Sequence, residues 1–149
     1  AGGIITFGSN SSLQLNSDIT INANKNAQKS FNFNGKLSGS GNFQIEAGTV
    51  VNFGTNSDNS GFLGDFIFLS SNGELVSNIS DNGTFLPSIS SILLNGSGGR
   101  IIVNGANTFF GSIILSANDF ALNFNANQSL MGLISMGDSL KEEDITLEL

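Results

Sequence analysis

Histidine and cysteine are both missing from this 149-residue chain, so the usual general base, thiolate nucleophile and zinc ligands are not there to be used. A Ser-His-Asp triad is excluded with them. Hydroxyl, amine and carboxylate chemistry remain. A Ser-Lys couple needs the amine within hydrogen-bond reach of the hydroxyl, and Lys29-Ser30 is the formal candidate. Neighbours on an extended strand point to opposite faces, so this pair is not expected to work. Clustered aspartates, with calcium or arginine support, can cleave polysaccharides. Asp18, Asp58, Asp65, Asp81 and Asp119 are instead scattered without a paired motif, although Asp58 and Asp65 can approach across a loop; solvated turn carboxylates are the expectation. The cluster Gly96 to Gly99 lacks the aspartates of a repeat-type calcium loop. Neither it nor Gly39-Ser40-Gly41 leads into the Lys-Ser/Thr of a phosphate-binding loop, so both read as corners. The sequence predicts a chain that is not an enzyme, with no catalytic residue, no cofactor and no metal ligand.

Charge narrows the partners. The net charge is −7, from twelve acids and five bases, and five of the acids (Asp138, Glu142, Glu143, Asp144, Glu148) crowd the last twelve residues beside Lys141. One arginine and four lysines cannot form a basic stripe, so neither nucleic acid nor an anionic membrane surface is an expected partner. No apolar run approaches the roughly 20 residues of a membrane-spanning helix. Absence of cysteine fits an exported bacterial protein. The chain opens Ala1-Gly2-Gly3 without an initiator methionine, as expected of a piece processed or excised from a longer one.

The elements that would position these residues are short. Apolar, polar, apolar alternation recurs at Leu13-Gln14-Leu15, Ile19-Thr20-Ile21, Phe31-Asn32-Phe33, Phe43-Gln44-Ile45, Val51-Asn52-Phe53 and Leu122-Asn123-Phe124, and again at Ile145 to Leu149. Phe66 to Leu69, Ile92 to Leu94, Ile101 to Val103 and Ile113 to Leu115 are strands without a clear polar member. Ile101-Ile102-Val103 and Ile113-Ile114-Leu115 are expected to be covered on both faces. Only Asn127 to Lys141 has spacing compatible with a helix, and Gly132 and Gly137 weaken it. Asn-Gly pairs at Asn34, Asn72, Asn82, Asn95 and Asn104 supply turn residues that accept positive φ. Strands this short, with corners of unequal length, suit a coil wound in one direction better than a meander of hairpins. Phe31, Phe33, Phe43, Ile45, Val51 and Phe53 would point inward, with Asn32, Gln44 and Asn52 outward. Corner asparagines could stack into amide ladders. Phe109 and Phe110 cannot both point inward from one strand; one of them, or Phe62, is expected to cap a corner or else to form an apolar patch for a partner.

Internal similarity supports the coil. Asn59 to Gly64 leads into a strand that ends Leu69-Ser70-Ser71-Asn72, and Asn107 to Gly111 leads into one that ends Ser116-Ala117-Asn118. The string GSGGRIIVNGANTFFGSIILSA, Gly96 to Ala117, resembles the strand repeat of bacterial autotransporter passenger domains, and Leu37 to Leu75 resembles a looser second copy. The Phe, Ile and Asn bias with few arginines is also similar to large surface proteins of AT-rich bacteria, including rickettsial ones. The resemblance implies an all-β fold, a right-handed parallel β-helix (β-solenoid) exposed outside a Gram-negative cell, with an outer-membrane barrel elsewhere in the longer chain. An antiparallel β-sandwich is the alternative fold.

Residues 1–149 read as a single solenoid segment of about five to seven rungs, with 138–149 an acidic terminal strand or cap. The expected function is a non-catalytic, cell-surface or secreted module that adheres to a host or bacterial surface protein or glycan. The alternative is a self-assembling subunit of an extracellular filament or surface layer, joined through strand edges or by donation of Ile145 to Leu149. A polysaccharide-degrading β-helix enzyme is the distant third.

Overall fold

A computed structural model describes residues 4–22, 29–136 and 145–148. The described residues contain sixteen short strands and no helix. Seven of them, β1 (Ile4–Phe7), β4 (Lys29–Phe33), β7 (Thr49–Phe53), β10 (Glu74–Ser77), β12 (Arg100–Val103), β14 (Phe120–Phe124) and β16 (Ile145–Glu148), form a first parallel sheet in chain order. Six more, β3 (Ile19–Ile21), β6 (Phe43–Ile45), β9 (Phe66–Phe68), β11 (Ser91–Leu94), β13 (Ser112–Leu115) and β15 (Ile134–Met136), form a third side in the same order. Between them lies a smaller sheet of β2 (Ser12–Leu15), β5 (Lys36–Gly39) and β8 (Asp58–Phe62). Every pairing is parallel and joins a strand to its equivalent in the next coil. The chain is therefore a parallel β-solenoid, and the sandwich alternative is gone.

Alternation explains why the coil closes. Across the first sheet Phe31, Val51, Leu75, Ile101 and Leu122 stack as one buried file, and Phe33, Phe53, Ser77, Val103 and Phe124 stack as a second. The third sheet adds Phe43, Phe66, Ile92 and Ile113, then Ile45, Phe68, Leu94 and Leu115. All six residues expected to face inward are buried, and Asn32, Gln44 and Asn52 lie half-buried on the outside. Aromatic rings link the coils along the axis, Phe7 to Phe31 at 5.4 Å, Phe43 to Phe66 at 5.7 Å and Phe66 to Phe85 at 5.9 Å, with Phe31 to Phe43 at 5.4 Å crossing the core within one coil. Phe85 to Phe109 at 6.1 Å and Phe109 to Phe124 at 5.6 Å continue the line. Each such pair adds about 0.5–1.5 kcal/mol to the burial of the rings.

Two expectations fail. Ile102 and Ile114 are not covered on their outer side; Ile102 is half-buried and Ile114 is exposed, because the coil is one sheet thick and nothing described packs outside it. The described part of Asn127 to Lys141 holds no helix but β15, whose Ile134 pairs with Ile113 and so satisfies its backbone in the ladder instead. Residues 137–144, with most of the acidic cluster, lie outside the described residues; Ile145–Glu148 continues the first sheet.

Candidate interaction surfaces

The polar side chains named as chemical candidates are built into the frame. Lys29 and Ser30 are adjacent on β4, and the Ser30 hydroxyl lies 3.4 Å from the Asn32 amide. Asp18 accepts from the Asn42 backbone N–H at 2.9 Å, Asn42 Oδ1 from the Asp65 N–H at 2.9 Å, and Asp65 from the Ser91 N–H at 2.8 Å. Asp18, Asn42 and Asp65 stand directly before β3, β6 and β9, and Ser91 opens β11, so each of the first three braces the entry of the next coil into the third sheet. Asp81 accepts from the Ala106 N–H at 2.8 Å, and Asp58 from the Ser60 N–H at 2.9 Å, two residues along its own strand. Asp58 heads β8 whereas Asp65 precedes β9, and each is tied to a different backbone amide. Among the described residues no three acidic side chains gather in a group able to hold a metal ion.

Asparagine ladders form where corners stack. Asn104 donates to Asn78 Oδ1 at 2.6 Å and accepts from Asn125 at 2.8 Å; on the outer face Asn52 donates to Asn32 at 2.8 Å. A different column sets the turn from the third sheet back to the first. Gly48, Asn72, Gly98 and Asp119 have φ of 66, 59, 72 and 61°, and all precede by two residues the mutually paired Val50, Glu74, Arg100 and Ala121. Left-handed backbone at one fixed place in each coil turns the chain the same way every time. Sequence similarity matched Asn72 to Asn118; the register puts Asp119 opposite Asn72, one residue later.

The corner before the third sheet carries the surface feature that sequence spacing did not show. Gly41, Gly64, Gly111 and Gly132 stand there in line, and a Cβ on Gly111 would overlap the Ser90 carbonyl oxygen of the coil below. The buried Ser90 takes the same place in the coil between Gly64 and Gly111, and because neighbours on an extended segment alternate sides, the residue just before each of Gly64, Ser90, Gly111 and Gly132 turns outward. In successive coils that residue is Leu63, Ile89, Phe110 and Met131, each three positions before the aligned Phe66, Ile92, Ile113 and Ile134. Leu63 is 55% exposed, Ile89 68% and Met131 74%, with Phe110 half-buried between them. At about 4.8 Å per coil the four make a ridge roughly 14 Å long, parallel to the axis. Phe109 and Phe62 are buried, so of the three aromatic candidates only Phe110 reaches this surface. Beside the ridge run Ile67, Leu93 and Ile114, the apolar part of the outward file of the third sheet that Ser135 continues, and the exposed Leu133. From Asn82 to Gly137 the sequence has only two charged residues, Arg100 and Asp119, and both sit at or beside the first sheet.

No family model, no curated protein and no solved structure matches this chain.

Proposed function

We propose that this chain is a non-catalytic, cell-surface or secreted β-helical module of autotransporter-like type, which adheres to host or bacterial surfaces through its corners and flat outer faces. The observation that carries the reading is the division of labour among side chains. Carboxylates and amides that could do chemistry brace one coil on the next, while the outer surface of the later coils is broad, neutral and partly apolar. A rigid stack that repeats one corner every coil offers the same kind of contact many times over, which favours surface attachment through many weak interactions. The partner class is a surface protein or glycan.

Retention of the fluorescently labelled chain on epithelial and on bacterial cells tests this. Saturable binding is expected, and prior treatment of the cells with protease or glycosidase assigns the partner. Absence of saturable binding to either surface overturns the adhesive reading. New reducing ends released from a polysaccharide panel would replace it with the enzyme.

A second reading, self-assembly through strand edges, is supported by apolar residues exposed in the first and last described coils. Ile5 aligns with the buried Phe31, and Ile134 and Met136 align with the buried Ile113 and Leu115, yet all three are exposed. Filaments that vanish when Ile145 to Leu149 are deleted are the result expected from it.

A further inference from the structure

We infer that the ridge Leu63–Ile89–Phe110–Met131 and the adjoining outer face of the third sheet form a side-to-side docking surface for a second copy of this chain. The pairing is independent of the adhesive reading and differs from edge-to-edge assembly, because it leaves every strand edge as it is.

Two properties select the occupant. The first is period. The ridge repeats at about 4.8 Å, the spacing between hydrogen-bonded strands, whereas side chains on one face of an extended peptide repeat at about 6.6–6.8 Å. A peptide strand laid along the ridge falls out of step within two coils, and a helix, rising about 5.4 Å per turn, drifts as well. A second solenoid matches it throughout, and this chain is one. The second property is charge. Each copy carries −7, so two copies meet at a cost over most of their surface. Three of the four ridge members, Ile89, Phe110 and Met131, together with Leu93 and Ile114, belong to the stretch from Asn82 to Gly137 that is nearly free of ionisable residues, where that repulsion is least; Leu63 and Ile67 lie outside it, on either side of Asp65. Repulsion elsewhere penalises other approaches and so favours this one.

Symmetry allows two closed pairs, one with the two-fold axis along the ridge, which sets Leu63 on Leu63 with the solenoids parallel, and one with the axis across it; the second is the pairing inferred. A closed pair uses a two-fold axis, which sets residue i against j and j against i. On a four-member ridge the axis passes between Ile89 and Phe110. Leu63 then meets Met131 of the other copy, Ile89 meets Phe110, and the two solenoid axes run antiparallel. A strip this narrow falls short of the roughly 800 Å² per partner of a standard interface, so the pair forms weakly and rewards copies held at high local concentration.

Sedimentation of the purified chain from micromolar to millimolar concentration tests the pairing. A monomer–dimer equilibrium is expected, weakened at least tenfold by Leu63→Asp or by Met131→Lys and restored on mixing those two variants, which place opposite charges face to face. Both positions are exposed, and unchanged circular dichroism confirms that folding is intact. Since the chain has no cysteine of its own, mixed Leu63→Cys and Met131→Cys proteins should oxidise to a cross-linked heterodimer faster than either alone. A chain that stays monomeric throughout overturns the inference. So do oligomers indifferent to the ridge charges, which would place assembly at the ends, and preferential Leu63–Leu63 cross-links, which would make the axes parallel.

Discussion

At the scale of single residues, the core is governed by how much room one coil leaves the next. Ser77 is fully buried in a file whose neighbours are Phe53 and Val103, and its hydroxyl lies 3.4 Å from the Ile79 N–H, a weak contact. Ser77→Ala removes a buried hydroxyl without changing the packing much. It is expected to alter stability by less than about 1 kcal/mol in urea denaturation. Gly111→Ala does the opposite, adding one carbon against the Ser90 carbonyl and the Leu86 side chain. Destabilisation of about 1–3 kcal/mol is expected from the same measurement, because backbone on the other side cannot give way. Positions such as Phe43 and Val51 are legible in the sequence, since alternation alone assigns their side. The ridge is not: its members lie at unequal separations, and only the register of the third sheet brings them into line. Phe62 and Phe109, the aromatics that stand out in the sequence, go to the core, while the plainer Leu63 and Ile89 reach the surface.

Elements are held by two kinds of ladder, backbone and side chain. Strands with a clean apolar alternation, such as Phe43–Ile45, declare themselves. β8, Asp58–Phe62, does not, because Asn59, Ser60 and Gly61 read as a turn. It becomes a strand by pairing with β5 across a register shift and by burying Asn59, whose amide donates to the Phe85 carbonyl at 2.9 Å. Tertiary pairing overrides local preference there. The corner ladder through Asn78, Asn104 and Asn125 gives an element-scale test. Asn104→Asp keeps the acceptor for Asn125 but sets a carboxylate oxygen against Asn78 Oδ1. A loss of roughly 1 kcal/mol is expected in equilibrium unfolding, moderated by solvent at this exposed site. Asn95→Asp is the control: Asn95 is exposed, its side chain has no hydrogen-bond partner among the described residues, and a change within about 0.5 kcal/mol is expected.

In the whole molecule each coil touches chiefly the one above and the one below, so damage should spread along the axis in steps. Phe66 lies within 6 Å, ring to ring, of Phe43, Phe53, Phe62 and Phe85, which come from three successive coils. Phe66→Ala is expected to cost about 3–5 kcal/mol. Hydrogen exchange should show the loss first in β6, β9 and β11, with β13 keeping more of its protection; uniform loss over all coils would mean the stack melts as one unit. The direction of winding is legible because every strand is too short to fold back on a partner of its own. The coil lengths are not, since equivalent residues lie from 20 (Ser30 to Val50) to 26 (Ile4 to Ser30) positions apart.

From the second coil onward that unevenness falls on one flank; the first coil departs from it, with ten positions from Ile21 to Phe31. Between the third sheet and the first, coils two to five share the same left-handed corner or its immediate setting, with six positions from Ile45 to Val51 and seven from Phe68 to Leu75, from Leu94 to Ile101 and from Leu115 to Leu122. On the opposite flank the path from Val103 to Ile113 takes ten positions and that from Ser77 to Ile92 takes fifteen. One flank is thus a hinge of fixed gauge and the other a place where chain can be spliced in without disturbing the pitch. Foreign peptides grafted at the exposed turn Ser80 to Asn82 of the longer arc, leaving the buried Phe85 and Leu86 in place, should be displayed outward on an intact scaffold, whereas the same graft at Asn72 would break the winding.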